Sequence, residues 1–220
     1  MRILNYIVIS IGFALLAGAI ITYALGYKVN LSTRNVNKTA IIEVRPDISD
    51  ASVILNGRDM GKGRLTFRYL TPGRYEIKVV INEYHDFVKQ FDLKGGEAVV
   101  IDDIIMFRKS PVAQEFDFNG GQKELSKIAD IDNLSALGGE IYENGNLVTR
   151  LSTDVKGLCW YDDRRYVAFT NDNLLKIINI NGTNEIDLLK KNSDGPVVFV
   201  NSGRSVIYES DGKIYRVQIR

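Results

Sequence analysis

The most one-sided hydrophobic pattern comes first in the chain. "ILNYIVISIGFALLAGAIITYALGY" (3–27) runs 25 residues without a charged side chain, enough for a helix to cross a hydrocarbon core about 30 Å thick. Tyr6, Tyr23 and Tyr27 stand near its two ends, where amphipathic rings favour the headgroup zone. A cleavable signal peptide is the rival reading. Its apolar region is usually shorter, and the candidate small-x-small cleavage site, "TYA" at 22–24, is a poor one at the far end. The pattern predicts an uncleaved transmembrane anchor over 1–27. Arg2 precedes the span while Lys28, Arg34 and Lys38 follow it, and that count alone would keep the remainder inside. A very short N-terminal tail is nevertheless the usual form of a signal anchor that exports its downstream domains. With the β modules after the span, residues 28–220 are expected on the extracytoplasmic side of a cell membrane.

After the span, 28–39 is polar and lacks apolar periodicity, which reads as a linker. From residue 40 the period changes to two. "AIIEVRP" (40–46), "ASVILNG" (51–57), "RLTFRYL" (64–70), "RYEIKVVI" (74–81), "HDFVKQFDL" (85–93) and "EAVVIDDIIMF" (97–107) read as strands separated by tight turns. Asn56-Gly57 is a hairpin corner, because both residues tolerate positive φ. Gly61 and Gly63 mark a second bend. The spacing predicts a small β-sandwich over 40–109.

These residues resemble the PEGA domain. Its plan is a strand ending in Pro, a strand leading to an "NG" turn and "xxGxTP", a "PG-x-Y/H-x-V-x-V" strand, and a "GY" corner. Pro46, Ala51, Asn56-Gly57, Gly61, Pro72-Gly73, Tyr75 and Tyr84 fill those places. Two positions depart: Gly63-Arg64 stands where "TP" is common, and Glu83 precedes Tyr84 where Gly is common. The resemblance implies a surface or envelope β-sandwich that mediates binding, without catalysis.

Residues 110–134 read as a second linker, with a weak three-four spacing at Leu125, Ile128 and Ala129 marking a short-helix candidate. Beyond it lies a repeat. "GLCWYDDRRYVAFTNDNLLKIINI" (157–180) aligns without a gap on "PVVFVNSGRSVIYESDGKIYRVQI" (196–219), and "GEIYENGNLVTRLS" (139–152) is a weaker partial copy. The offset is 39 residues, in the range of β-propeller blades. The repeats resemble the WD40-like blades of extracytoplasmic propellers. A propeller closes with about four to eight four-stranded blades, whereas 135–220 provides roughly two (157–195 and 196–220), the last without its outer strand. The fold class expected is therefore mainly β: an N-terminal transmembrane helix, a small sandwich and an incomplete propeller-like antiparallel sheet. Open sheet edges in such a fold would invite pairing with another chain, a route to oligomers.

Composition narrows the chemistry. The chain has 28 Lys and Arg against 27 Asp and Glu, so charge makes no case for nucleic acid. One cysteine, Cys159, excludes an internal disulfide, and its apolar strand context makes it a small core residue. One histidine, His85, reads as a lone surface residue. "GRDMGKG" (57–63) fails as a phosphate loop: the glycine spacing is one short, Gly63 replaces the required Ser or Thr, and a strand rather than a helix comes next. Asp102-Asp103 point to opposite faces of a strand, and Asp162-Asp163 suit a turn. Four N-x-[ST] sequons, at Asn30, Asn37, Asn133 and Asn181, are glycan acceptors only in an exported protein of a glycosylating cell.

No cofactor and no metal are expected, and no enzyme activity. What remains is a membrane-anchored envelope protein that binds a protein or a cell-wall carbohydrate. Its candidate surface is the basic rim Arg58, Lys62 and Arg64 with Trp160. Trp160 and Phe199 share a repeat position that reads as packing between blades, and an exposed platform that stacks on a sugar or a peptide is the alternative. Two other readings stay open: a truncated relative of a longer anchored propeller, and a hydrolase hidden in 110–156.

Overall fold

The computed structural model describes every residue except 1, 25, 31–34, 103, 119–124, 126–128 and 162–163. Asp103, the Asp162-Asp163 pair and most of the helix candidate before Ala129 therefore lie outside the described residues. Strands hold 51% of the chain and helix 10%, so the protein is mainly β. It divides into two compact units, residues 1–79 with 88–104 and residues 80–87 with 105–220.

The first unit begins with α1 (Arg2–Ala24). None of its described side chains is buried. Where a linker was expected, β1 (Tyr27–Asn30) and β2 (Asn35–Lys38) pair as a hairpin, Tyr27 opposite Lys38. Polar composition hid it, and backbone bonds decide it: Thr39 donates its N–H and its hydroxyl to the Gly26 carbonyl, each at 2.7 Å.

Seven strands come next: β3 (Ala40–Val44), β4 (Ser52–Leu55), β5 (Arg58–Lys62), β6 (Leu65–Leu70), β7 (Gly73–Val80), β8 (Phe87–Leu93) and β9 (Ala98–Ile101). They form two sheets, in the orders β6-β3-β9 and β5-β4-β7-β8. The period of two places Ala40, Ile42 and Val44 in the interior with Val53, Ile77, Val79 and Ile101. Asn56 and Gly57 have φ of 48° and 78°, the signature of a type I′ hairpin turn. That turn leads directly into β5, which pairs with β4 where the sequence pattern indicates only a bend. The departure at Gly63 has a steric cause. Its φ is 73°, and a Cβ would stand 2.8 Å from the Ser49 carbonyl oxygen, so Thr does not fit. At the other departure, Glu83 adopts φ 66°, the left-handed conformation for which glycine is the easy choice. The expected strand 97–107 stops at Ile101, and Ile105 and Phe107 enter the core of the second unit instead.

That unit contains β10 (Ala113–Glu115), β11 (Leu134–Leu137), β12 (Glu140–Glu143), β13 (Asn146–Arg150), β14 (Lys156–Trp160), β15 (Tyr166–Asn171), β16 (Leu174–Asn179), β17 (Ile186–Lys190), β18 (Val197–Val200), β19 (Ser205–Ser210) and β20 (Lys213–Gln218). Three antiparallel sheets result: β11-β12-β13, β14-β15-β16-β17 and β10-β20-β19-β18. The repeat is structural. β15 starts at Tyr166 and β19 at Ser205, β16 at Leu174 and β20 at Lys213, each pair 39 residues apart. Asn144-Gly145, Asp172-Asn173 and Asp211-Gly212 all turn with two successive positive φ values, one hairpin corner per sheet.

Two features differ from expectation. The weak copy at 139–152 is a sheet of its own, giving three sheets rather than about two. The last sheet also has its outer strand, supplied by β10 from earlier in the chain, with Gln114 opposite Arg216. In the middle sheet the same place is held by β17, the next strand in sequence. Alternation along β14 sends Cys159 and the adjoining Tyr161 into the core shared with the last sheet. Leu158 and Trp160 enter the core shared with the first. Phe107, Tyr161 and Tyr166 meet edge to face at 5.6–6.1 Å.

Candidate functional site

The basic rim is divided by the backbone. All five residues of β5 are exposed at the edge of their sheet. Leu55 pairs with Arg58, Ile54 with Asp59 and Ser52 with Lys62, so β5 holds one extra residue, a bulge beside Gly61. Directly opposed residues share a face, whereas Ser52 and Leu55, three apart on β4, lie on opposite faces. Arg58 and Lys62 are thereby directed to opposite sides of the sheet. Bulge and charges together are the features by which edge strands resist unwanted pairing.

Arg64 is committed elsewhere. Its Nε donates to Glu43 Oε1 at 2.6 Å, and its Nη2 also contacts that oxygen. Arg45 donates to both oxygens of the same carboxylate at 3.0 Å. Hydrogen bonds from Arg45 and Arg64 pull the Glu43 carboxyl down to about 2. A depressed folded-state pKa stabilises above the usual carboxylate range, and the effect is lost as pH falls through the folded value. Glu43→Gln is expected to melt below the parent at pH 6 and to match it near pH 2. Circular dichroism melts at the two pH values check this; an equal deficit at both would remove ionisation from the explanation.

Trp160 is not a surface platform. Only 6% of it is exposed; it packs with Ile141, Val167, Phe169 and Ile178. Its indole N–H donates to the Asp132 carbonyl at 2.6 Å, and its backbone N–H to the Asp130 carbonyl at 2.7 Å. Arg164 then pins the Asp130 and Asp132 carboxylates at 2.8 and 3.1 Å. Phe199, at the equivalent repeat position, lies edge-on to Tyr161, 5.0 Å between centroids. Cys159 is fully buried, which pushes its thiol up to about 12. His85 is half-buried rather than a surface residue. Burial, with Lys109 nearby, lowers its pKa.

No sequence motif marks an open polar cleft of about 510 Å³ lined by Thr153, Asp154, Lys156, Thr170, Asn171 and Asp194. The β14 start, the β15 end and the loop before β18 meet there. Asn171 Nδ2 donates to the Thr153 hydroxyl at 2.6 Å and the Asp154 carbonyl at 3.2 Å, fixing the floor. Lys156 pairs with Asp194 at 2.8 Å, and that partner raises its pKa. Thr170 Oγ1 is buried without a hydrogen-bond partner. This lining can exchange hydrogen bonds with hydroxyl or amide groups. Among the described residues, no group of three or more His, Cys, Asp or Glu side chains is placed to hold a metal ion.

No curated protein matches this chain. Residues 39–105, spanning β3 to β9, match the family model of the PEGA domain.

Proposed function

We propose that the chain is a single-pass, membrane-anchored protein of the cell envelope, without catalytic activity, whose β modules dock a protein or a cell-wall polymer. The observation that carries this reading is α1. A helix apolar all round belongs either in a protein core or in lipid. Here Tyr6, Phe13 and Leu15 are each at least 70% exposed, and the span Tyr6–Ala24 has a mean hydropathy of 2.3. Lipid is the cover that side chains of this kind require. The PEGA match supports the same reading, since such domains occur in extracellular or anchored proteins.

The three sheets of the second unit are successive propeller-type blades, related to the WD40-like kind, in an arc short of closure. Their fourth-strand place is held by β17 and β10 in two sheets, while the first sheet ends at β13. Leu147, on that outer strand, is 49% exposed. A strand of another chain adding there would complete the sheet.

Protease treatment of intact cells tests the anchor and its orientation. Residues 40–220 are expected to be digested from outside, leaving a membrane-bound N-terminal fragment. Protection of 40–220 until the membrane is opened would overturn the envelope assignment.

A further inference from the structure

A second cavity, of about 440 Å³, lies on one face of the last sheet and is unlike the polar cleft in charge. Gln114 stands opposite Arg216, and Ser205 opposite Gln218. Arg216 and Gln218 are two apart on β20, so the register puts all four on one face. The segment leading to β10 adds Arg108 and Ser110. No Asp or Glu lines the cavity.

Both arginines are held in place by packing rather than by ion pairs. Arg108 lies over the Tyr84 ring, 5.4 Å from its centroid, and its backbone N–H donates to the Ile219 carbonyl at 2.8 Å. Arg216 lies over Phe116 at 5.7 Å. Neither guanidinium has a carboxylate partner among the described residues, and Arg108 Nε is buried with no hydrogen-bond partner at all. Two like charges lining one cavity repel each other, and an anion between them removes the repulsion.

The geometry points to an oxyanion site here that takes the phosphoryl group of a phosphate-bearing ligand. A planar carboxylate is satisfied by one guanidinium fork. Two forks, one from β20 and one from the segment before β10, suit a tetrahedral group instead, with the hydroxyls of Ser110 and Ser205 beside them. The site lies wholly within residues 80–87 and 105–220 and does not depend on anchoring, so the two proposals fail separately.

The test uses the full chain in maltoside micelles, which contribute no phosphate. Inorganic phosphate and glycerophosphoglycerol are titrated at low salt, monitored by calorimetry and phosphorus NMR line width. Saturable one-to-one binding is expected. Arg108→Gln and Arg216→Gln should each weaken it about 10-fold or more, the scale of one charge-assisted hydrogen bond. Arg216→Lys keeps the charge, loses the fork and should fall between. Lys213→Gln removes a cation already paired with Glu115 at 2.9 Å and should leave affinity unchanged. Tighter binding of inorganic phosphate identifies a free phosphomonoester as ligand, and tighter binding of the diester identifies a phosphodiester polymer or lipid headgroup. Non-saturating titrations, equal affinity in an Arg108→Gln/Arg216→Gln double variant with unchanged melting, or acetate competing as well as phosphate would each overturn the assignment.

Discussion

Gly203→Ala is expected to destabilise the second unit by about 3 kcal/mol, combining overpacking of about 1–3 kcal/mol with about 1–2 kcal/mol for an L-residue in the left-handed region. Gly203 has φ 70° and comes after Asn201 and Ser202, which also have positive φ. A Cβ there would run into the Tyr161 ring, with Cε2 at 2.8 Å and Cζ and the hydroxyl closer still. That ring cannot retreat. Tyr161 is 1% exposed, is wedged among Phe107, Tyr166 and Phe199, and donates its hydroxyl to the Gly203 carbonyl at 3.0 Å. Gly212→Ala is the control, with φ 75° and open space where its Cβ would stand, so it reports strain without the clash. Denaturant unfolding monitored by Trp160 emission, from the chain's single tryptophan, reads this unit selectively. Equal losses in the two variants would rule out the Tyr161 clash as the cause.

Lys191→Met should cost a comparable amount, about 3 kcal/mol, because buried carbonyls left without a donor cost about 1–3 kcal/mol each. Lys191 is fully buried in the loop between β17 and β18. Its ammonium donates to the Gly195 carbonyl at 2.8 Å, and also to the carbonyl and hydroxyl of Ser193. Burial lowers its pKa, while Glu209 and Asp194 oppose that shift. Methionine keeps the stem's volume and removes only the donors, so the loss reports the hydrogen bonds rather than a cavity. Lys190→Met, one residue earlier on the exposed surface, should stay within about 0.5 kcal/mol. The same Trp160 emission serves as readout, and a Lys191→Met loss no greater than that of Lys190→Met would show that the ammonium does not hold the loop.

Neither effect is visible in the sequence. Lys190 and Lys191 are adjacent and chemically identical, and only the fold places one in water and the other among carbonyls. Gly203 reads as a turn glycine like Gly212; its ring partner lies 42 residues back in the chain. The structure divides the candidate surface for a similar reason. Arg58 and Lys62 have the spacing that shares a face on a regular strand, and one bulged residue separates them. Trp160 suits both a platform and interior packing on its local pattern. Its burial comes from Ile141, Val167, Phe169 and Ile178, and its indole N–H is met by the Asp132 carbonyl, in a segment that carries no pattern of its own.

What the sequence determined by itself was local. Alternation, paired positive-φ residues at Asn56-Gly57, Asn144-Gly145 and Asp211-Gly212, the 39-residue offset and the uncharged N-terminal run all act between neighbours along the chain. They specify strands, hairpins, the repeat unit and the apolar helix. Tertiary structure alone decided that β10 joins β20, that Arg64 is taken by Glu43, and that Arg108 and Arg216 share a cavity. The physical reason is register. Which strand edge pairs with which, and in which phase, is settled by burial and hydrogen bonding summed across distant segments, and a shift of one residue sends a side chain to the other face.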